Sequence, residues 1–193
     1  MLDTAEYDRR LATGRQNLAQ YYNQIIDKMS KQIVVEKAVF GHINDVPVRG
    51  VIDQIAFKED NTAQVIDFKT GKPNFDKVRR PTDKNPIGGS YWRQLVFYKL
   101  LYENHRANII RVNTGEISWV EPDARGAFKS KTVDFTQKDG DILRGVISDV
   151  WTKIQARQFD GCGKADCQWC NFVRNNFAPM SFRNEKSEEL DDV

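Results

Sequence analysis

The segment VRGVIDQIAFKEDNTAQVIDFKT, residues 48–70, constrains the fold of this chain more than any other stretch. Two runs rich in β-branched and aromatic residues, 46–57 and 64–70, flank KEDNT, whose Asp and Asn are turn formers. The pattern predicts two antiparallel strands joined by a tight turn centred near Asp60. Symmetry about that residue pairs Phe57 with Ala63 and sets Asp53 opposite Asp67. Directly opposed side chains of a hairpin lie about 4.5–5.5 Å apart on one face. Residues i and i+2 of a strand share a face, so Asp67 and Lys69 project to the same side.

Both acids sit in apolar strand centres, Asp53 among Val51, Ile52 and Ile55, and Asp67 among Val65, Ile66 and Phe68. An unpaired charge is costly there, and two carboxylates at that separation repel. A divalent cation between them relieves the repulsion. Mg²⁺ typically takes one or two carboxylates together with waters and phosphate oxygens. A lysine on the same face can orient or deprotonate a water, or offset charge on a pentavalent phosphorane. That is equipment for metal-assisted phosphodiester hydrolysis. Taken alone, D-x-K fits the polar face of a surface hairpin equally well.

Around this hairpin the sequence alternates between helical and extended periods. Residues 4–29 read as a helix with Leu18, Tyr21, Tyr22, Ile25 and Met29 at three- and four-residue spacing. The chain opens inside this pattern, which reads as a piece of a larger polypeptide with Met1 added at the cut. Residues 33–40 form a first strand, so 33–70 is expected to be a three-stranded meander. Residues 73–89 are a basic loop with three prolines, and 90–105 a helix with Ser90 as its N-cap. Residues 108–113 and 117–120 read as two short strands joined at Thr114-Gly115. A helix over 139–157 carries Ile142, Val146, Val150 and Ile154. The result is an α/β fold with a central mixed sheet of about five strands flanked by helices.

Composition adds exclusions. The longest apolar run is Leu95–Tyr98, against about 20 residues for a membrane span, so no membrane partner is expected. The start MLDTAEYDRR lacks the apolar core of a secretory signal. A net charge of +2 diagnoses no partner. The 3 Cys, all between 162 and 170, fit a reducing, cytoplasmic compartment and a local metal site better than a disulfide framework.

On the helix over 90–105, Gln94 and Tyr98 are four residues apart and share a face. The ordered series G-V-I-D (50–53), V-I-D-F-K-T (65–70) and Q-L-V-F-Y (94–98) resembles the RecB-like branch of the PD-(D/E)XK nuclease superfamily. The likeness is greatest to the C-terminal nuclease domain of UvrD-type DNA helicases and AddAB/RecBCD-type recombination enzymes. The likeness runs from about Gly14 through Phe172 and the nuclease domain is taken as 1–172; 173–193 reads as a tail, its EKSEELDDV acidic and expected to be partly disordered. The resemblance implies a restriction-endonuclease-like core and Mg²⁺- or Mn²⁺-dependent hydrolysis of DNA, from ends or in single strands fed by a helicase domain or subunit, in repair and recombination. It implies that Asp53, Asp67 and the Phe68 carbonyl hold the metal, that Lys69 is the catalytic lysine, and that Gln94 and Tyr98 face the substrate. Glu36 resembles the acid often found on the first strand. Two departures stand out. The upstream metal-binding His of the family has no counterpart, since His42 and His105 both lie after the first strand, and Gln54 stands where Arg is common. The missing ligand is expected before Met1. A nuclease-like DNA-binding or scaffolding module without activity, and a stand-alone CRISPR-associated-type exonuclease, are the alternative readings.

Cys162-x₄-Cys167-x₂-Cys170 supplies three thiols at ligand spacing, one short of a zinc site or an Fe–S cubane. Some relatives hold a 4Fe–4S cluster with a fourth, upstream Cys, so a complete cluster is expected in the intact parent protein at most; reduced thiols packing beside Trp169 and Phe172 are the alternative. Lys72, Lys77, Arg79, Arg80, Lys84 and Arg93 surround the predicted site and are expected to contact phosphates. Trp92, Tyr91 and Phe75 are candidates for stacking unpaired bases; a solvated basic loop with Tyr91 and Trp92 in the core fits the same residues.

Overall fold

The structure, a computed structural model, describes residues 3–105, 109–159, 161–162 and 164–177. It divides into two compact units, 1–152 and 153–193.

The first unit is built on a five-stranded sheet in the order β1-β2-β3-β4-β5. Strands β1 (Ile33–Ile43), β2 (Val46–Phe57) and β3 (Thr62–Lys69) form the expected antiparallel meander. Asn44, at φ 51°, takes up the left-handed turn between β1 and β2, a conformation Asn tolerates. In the second hairpin Phe57 pairs with Ala63 and Gln54 with Ile66, the register read from the symmetry about Asp60. Asp60 stabilises that turn by accepting from the Thr62 backbone N–H and hydroxyl at 3.1 and 2.6 Å.

Strand β3 is followed by a crossover through α2 (Ser90–Glu103) into β4 (Arg111–Trp119), which pairs with it in parallel. β5 (Ser130–Asp134) adds an antiparallel edge, so the sheet is mixed. Helix α2 covers one face, burying Trp92, Leu95, Val96, Leu100 and Leu101 against Ile55, Val65, Ile117 and Trp119. Each fully buried side chain of this kind contributes roughly 1.5–3 kcal/mol. Helix α1 (Thr4–Ile25), capped by Asp3, meets the sheet through Tyr21, the residue it buries. Tyr21 contacts Phe68 edge-on, whereas Tyr98 of α2 contacts Asp67. Neighbouring residues of a strand face opposite ways, so α1 and α2 lie on opposite sides of the sheet.

Three expectations need correction. The first helix stops at Ile25 and tightens into a 3-10 turn, Ile26–Lys28, short of residue 29. Gly89, not Ser90, is the cap residue of α2, and no side chain caps it. A Cβ at Gly89 would lie 2.2 Å from the Lys77 carbonyl oxygen, so close backbone approach overrides capping chemistry. Thr114-Gly115 is not a turn; it lies inside the single strand β4, whose pairing with β3 shifts by one residue there. A Cβ at Gly115 would meet the Phe135 ring at 2.5 Å and Leu95 at 3.1 Å, so the glycine serves packing. Asn108 lies outside the described residues. β5 gave no clear period because only Val133 of its five residues is buried.

Helix α3 spans Gln137–Gln155. Thr136 and Asp139 exchange hydrogen bonds at its start in the manner of a capping box. Val150 and Ile154, placed on its apolar stripe, are 49% and 44% exposed, so its first half alone packs into the core. The second unit holds α4 (Gln168–Phe177), which carries Cys170 and overlaps the stretch assigned to the tail; residues 178–193 of that tail lie outside the described residues. Among the described residues no helix is long and apolar enough to cross a membrane.

Candidate active site

The hairpin and α2 bring Asp53, Asp67, Lys69, Gln94 and Tyr98 together. Asp67 is 1% exposed at the centre of β3. Its Oδ2 is 2.7 Å from Lys69 Nζ, and its Oδ1 accepts a 3.3 Å hydrogen bond from the Tyr98 hydroxyl. The same hydroxyl lies 3.5 Å from Asp53 Oδ1, and the other Asp53 oxygen accepts the Phe68 backbone N–H at 3.0 Å. Gln94 donates to the Tyr98 oxygen at 3.2 Å, from one helical turn earlier. One phenol therefore bridges the two carboxylates, and one amide orients the phenol.

The electrostatics follow from this packing. Burial pushes the Asp67 carboxyl above its ordinary value of 3.8; Lys69 opposes the rise, and the Asp53 charge adds to it. Burial, with the Asp67 charge beside it, also raises the Tyr98 phenol, which stays protonated at neutral pH. Two converging carboxylates, one of them destabilised as the anion, form a donor set suited to a hard divalent cation. The lysine is a firmly placed positive charge.

Glu36 is not drawn into this cluster. It is exposed on β1 at φ 48° and drops out of the ladder between Lys37↔Ile52 and Val35↔Gln54. Gln54 is buried and turned to the opposite face, where it lines a cavity.

The basic residues separate into two groups. Lys72, Lys77, Arg79 and Lys84 are exposed, with Arg79 paired to the equally exposed Asp76. Arg80 is tied into the fold: its guanidinium pairs with buried Asp139 at 3.2 Å and also donates to the Asp134 carbonyl. Arg93 donates to the Ile87 and Gly88 carbonyls at 3.3 and 2.6 Å. Of the aromatic candidates, Trp92 is fully buried and cannot stack on a base. Phe75 is 47% exposed and rests edge-on against Trp119.

Tyr91 has a role the sequence reading did not separate from base stacking. Lys69 Nζ lies 5.1 Å and Lys77 Nζ 5.0 Å from its ring centroid, so one ring holds both ammonium groups by cation–π attraction. The available signal was spacing: Tyr91, Gln94 and Tyr98 recur at three and four residues on one helix face. Asp139, the buried partner of Arg80, was also missed; the pattern Thr136-x-x-Asp139 marked it.

In the second unit, the sulfurs of Cys162, Cys167 and Cys170 lie within 4.8 Å of one another, with Cys162 and Cys170 at 3.5 Å. The Cys170 backbone N–H and the neighbouring thiols hydrogen-bond the Cys167 sulfur and lower its pKa to about 7. Cys170 is raised. Among the described residues no fourth ligand joins the three, so the set does not complete a zinc site or a 4Fe–4S cluster.

The profile of the PD-(D/E)XK nuclease superfamily matches residues 4–174. Among solved structures, the crystal structure of SSO0001 is similar, with a TM-score of 0.47 at 15% identity over 86% of this chain and 70% of that one. No curated protein matches.

Proposed function

The chain belongs to the PD-(D/E)XK nuclease superfamily, and from that premise we propose that it is a Mg²⁺- or Mn²⁺-dependent deoxyribonuclease. The observation that carries this reading is the convergence of Asp53 and Asp67 on one phenol, with Lys69 2.7 Å from Asp67. Nucleases of the superfamily generally use these two ions. The donor set fits such an ion, since burial and the Asp53 charge both disfavour the Asp67 anion and a cation would relieve both. Asp53, Asp67 and the Phe68 carbonyl would hold it, where it would polarise a phosphate and lower the pKa of a bound water.

The chain's own residues then have distinct tasks. Lys69 carries positive charge beside the carboxylates, where it orients the attacking water and offsets charge developing on the phosphate. Tyr98 keeps its proton and fixes both carboxylates, and Gln94 fixes Tyr98. Tyr91 limits the reach of Lys69 by holding the ammonium over its ring. Lys72, Lys77, Arg79 and Lys84 are exposed to bind phosphates without reading sequence.

The likeness of the motif series to helicase-linked nucleases supports finer points: cutting from ends or in single strands, a helicase domain or subunit as source of the strand, and a role in repair and recombination. The three unpaired thiols support a cytoplasmic site.

The test is degradation of end-labelled single- and double-stranded DNA with Mn²⁺, comparing the chain with Asp67→Ala/Lys69→Ala. Metal-dependent cutting that disappears in the variant is expected. Equal cutting by both, or none by either, removes the claim that this chain is a competent enzyme.

A further inference from the structure

Behind the catalytic strand lies a second site. Ile66 and Phe68 alternate with Asp67 and Lys69, so they face away from the carboxylates and floor a cavity of about 510 Å³ under the end of α1. That volume is within the roughly 300–1,000 Å³ of small-molecule sites.

Its lining mixes apolar side chains with a few convergent polar groups, where a packing defect would be apolar throughout. Gln54 is 3% exposed and lines the cavity, and among the described residues nothing hydrogen-bonds its amide. The amide lines the cavity and is available to a ligand there. Gln64 donates to one Glu116 oxygen at 3.0 Å, leaving the other carboxylate oxygen and its own amide oxygen as acceptors. The Tyr21 hydroxyl and Ser118 are already bonded to each other at 2.6 Å. Tyr21 and Phe128, with ring centroids 5.3 Å apart, supply an aromatic wall. Lys28 is exposed among the lining residues, and Lys129 also lines the cavity with its ammonium paired to Asp123 at 3.2 Å.

We propose that this cavity binds an unpaired guanine nucleotide, independently of the carboxylate pair. Guanine presents two adjacent N–H donors and one carbonyl acceptor. A carboxylate receives the two donors, and an amide N–H such as that of Gln54 meets the carbonyl. The aromatic wall suits a flat ring. Lys28 selects an anionic tail and disfavours a cationic ligand such as an arginine side chain. The proposal does not depend on the nuclease reading.

The experiment is calorimetric titration of the chain with dGMP, dAMP, dCMP and dTMP in EDTA, where no cutting occurs. dGMP is expected to saturate at one per chain and to bind at least about tenfold more tightly than the others, the effect of hydrogen bonds to a charged acceptor. Glu116→Gln, which keeps the shape and removes the carboxylate, is expected to erase that preference. Lys28→Ala is expected to bring dGMP toward the affinity of deoxyguanosine. Asp67→Ala/Lys69→Ala should leave dGMP affinity within twofold. No saturation, equal affinities for the four nucleotides, a preference that survives Glu116→Gln, or loss of binding in the Asp67/Lys69 variant would each overturn the proposal.

Discussion

Asp67→Asn separates what the carboxylate does for the fold from the metal binding proposed for it. The native side chain is 1% exposed, and burial, reinforced by the Asp53 charge, raises its pKa above 3.8 despite Lys69 and Tyr98. The folded chain therefore keeps this proton at a pH where the unfolded chain has lost it. The stability this group contributes is complete below 3.8 and is lost as pH rises through the higher folded value. Asn has the same shape and no charge to desolvate, so its advantage over the wild type should grow from pH 4 upward. Lys69 loses its partner but is 21% exposed and still lies over Tyr91, so it is not stranded in an apolar interior. In EDTA at pH 7.5 the variant should melt above the wild type. Mn²⁺ at about 100 times its dissociation constant is expected to stabilise the wild type by about 2.7 kcal/mol. For a chain of this length that raises Tm by about 5–11 °C. The variant, with one carboxylate left, should gain less than about 2 °C. Thermal unfolding with and without Mn²⁺, at pH 5 and 7.5, measures all of this. A variant less stable than the wild type in EDTA at pH 7.5 would refute the desolvation argument. An undiminished Mn²⁺ shift would refute Asp67 as a ligand.

Two further expectations concern the basic residues and the thiols. Lys72→Ala, Lys77→Ala and Lys84→Ala should each lower the salt slope of single-stranded DNA binding by about 0.7, whereas Arg80→Ala should leave the slope unchanged and cost about 1–3 kcal/mol in urea unfolding, because buried Asp139 loses a charged hydrogen-bond partner; a reduced slope for Arg80→Ala would return it to the DNA-binding surface. Alkylation by iodoacetamide should reach half its maximal rate near pH 7 at Cys167, its sulfur being hydrogen-bonded by the Cys170 backbone N–H, and a midpoint near 9 by mass spectrometry would show that this arrangement does not persist in solution.

Local rules were sufficient where a residue's role depends on near neighbours in the chain. The Asp60 turn fixed which residues of β2 and β3 oppose one another, because a hairpin register follows from the turn and a strand has a period of two. That placed Asp53, Asp67 and Lys69 on one face, and helical spacing placed Gln94 and Tyr98 together. Tertiary structure decided whatever depended on two distant backbones meeting. Gly89 caps α2 because the Lys77 carbonyl occupies the space of a side chain, and Gly115 lies within a strand because α2 and Phe135 press on it. Neither contact leaves a trace in the glycine's own sequence neighbours. The same holds for charge: Lys77 and Arg80 look alike in a basic loop, yet one lies over Tyr91 and the other is spent on Asp139, 59 residues away. Gln54 reads as a lapse from an arginine pattern until the fold puts it in a cavity with Gln64 and Glu116. Sequence determined which groups are present and which way each strand residue faces. Packing alone decided which charges remain available for a ligand, because a charge commits to the nearest buried partner, and proximity across the sheet exists only once the chain has folded.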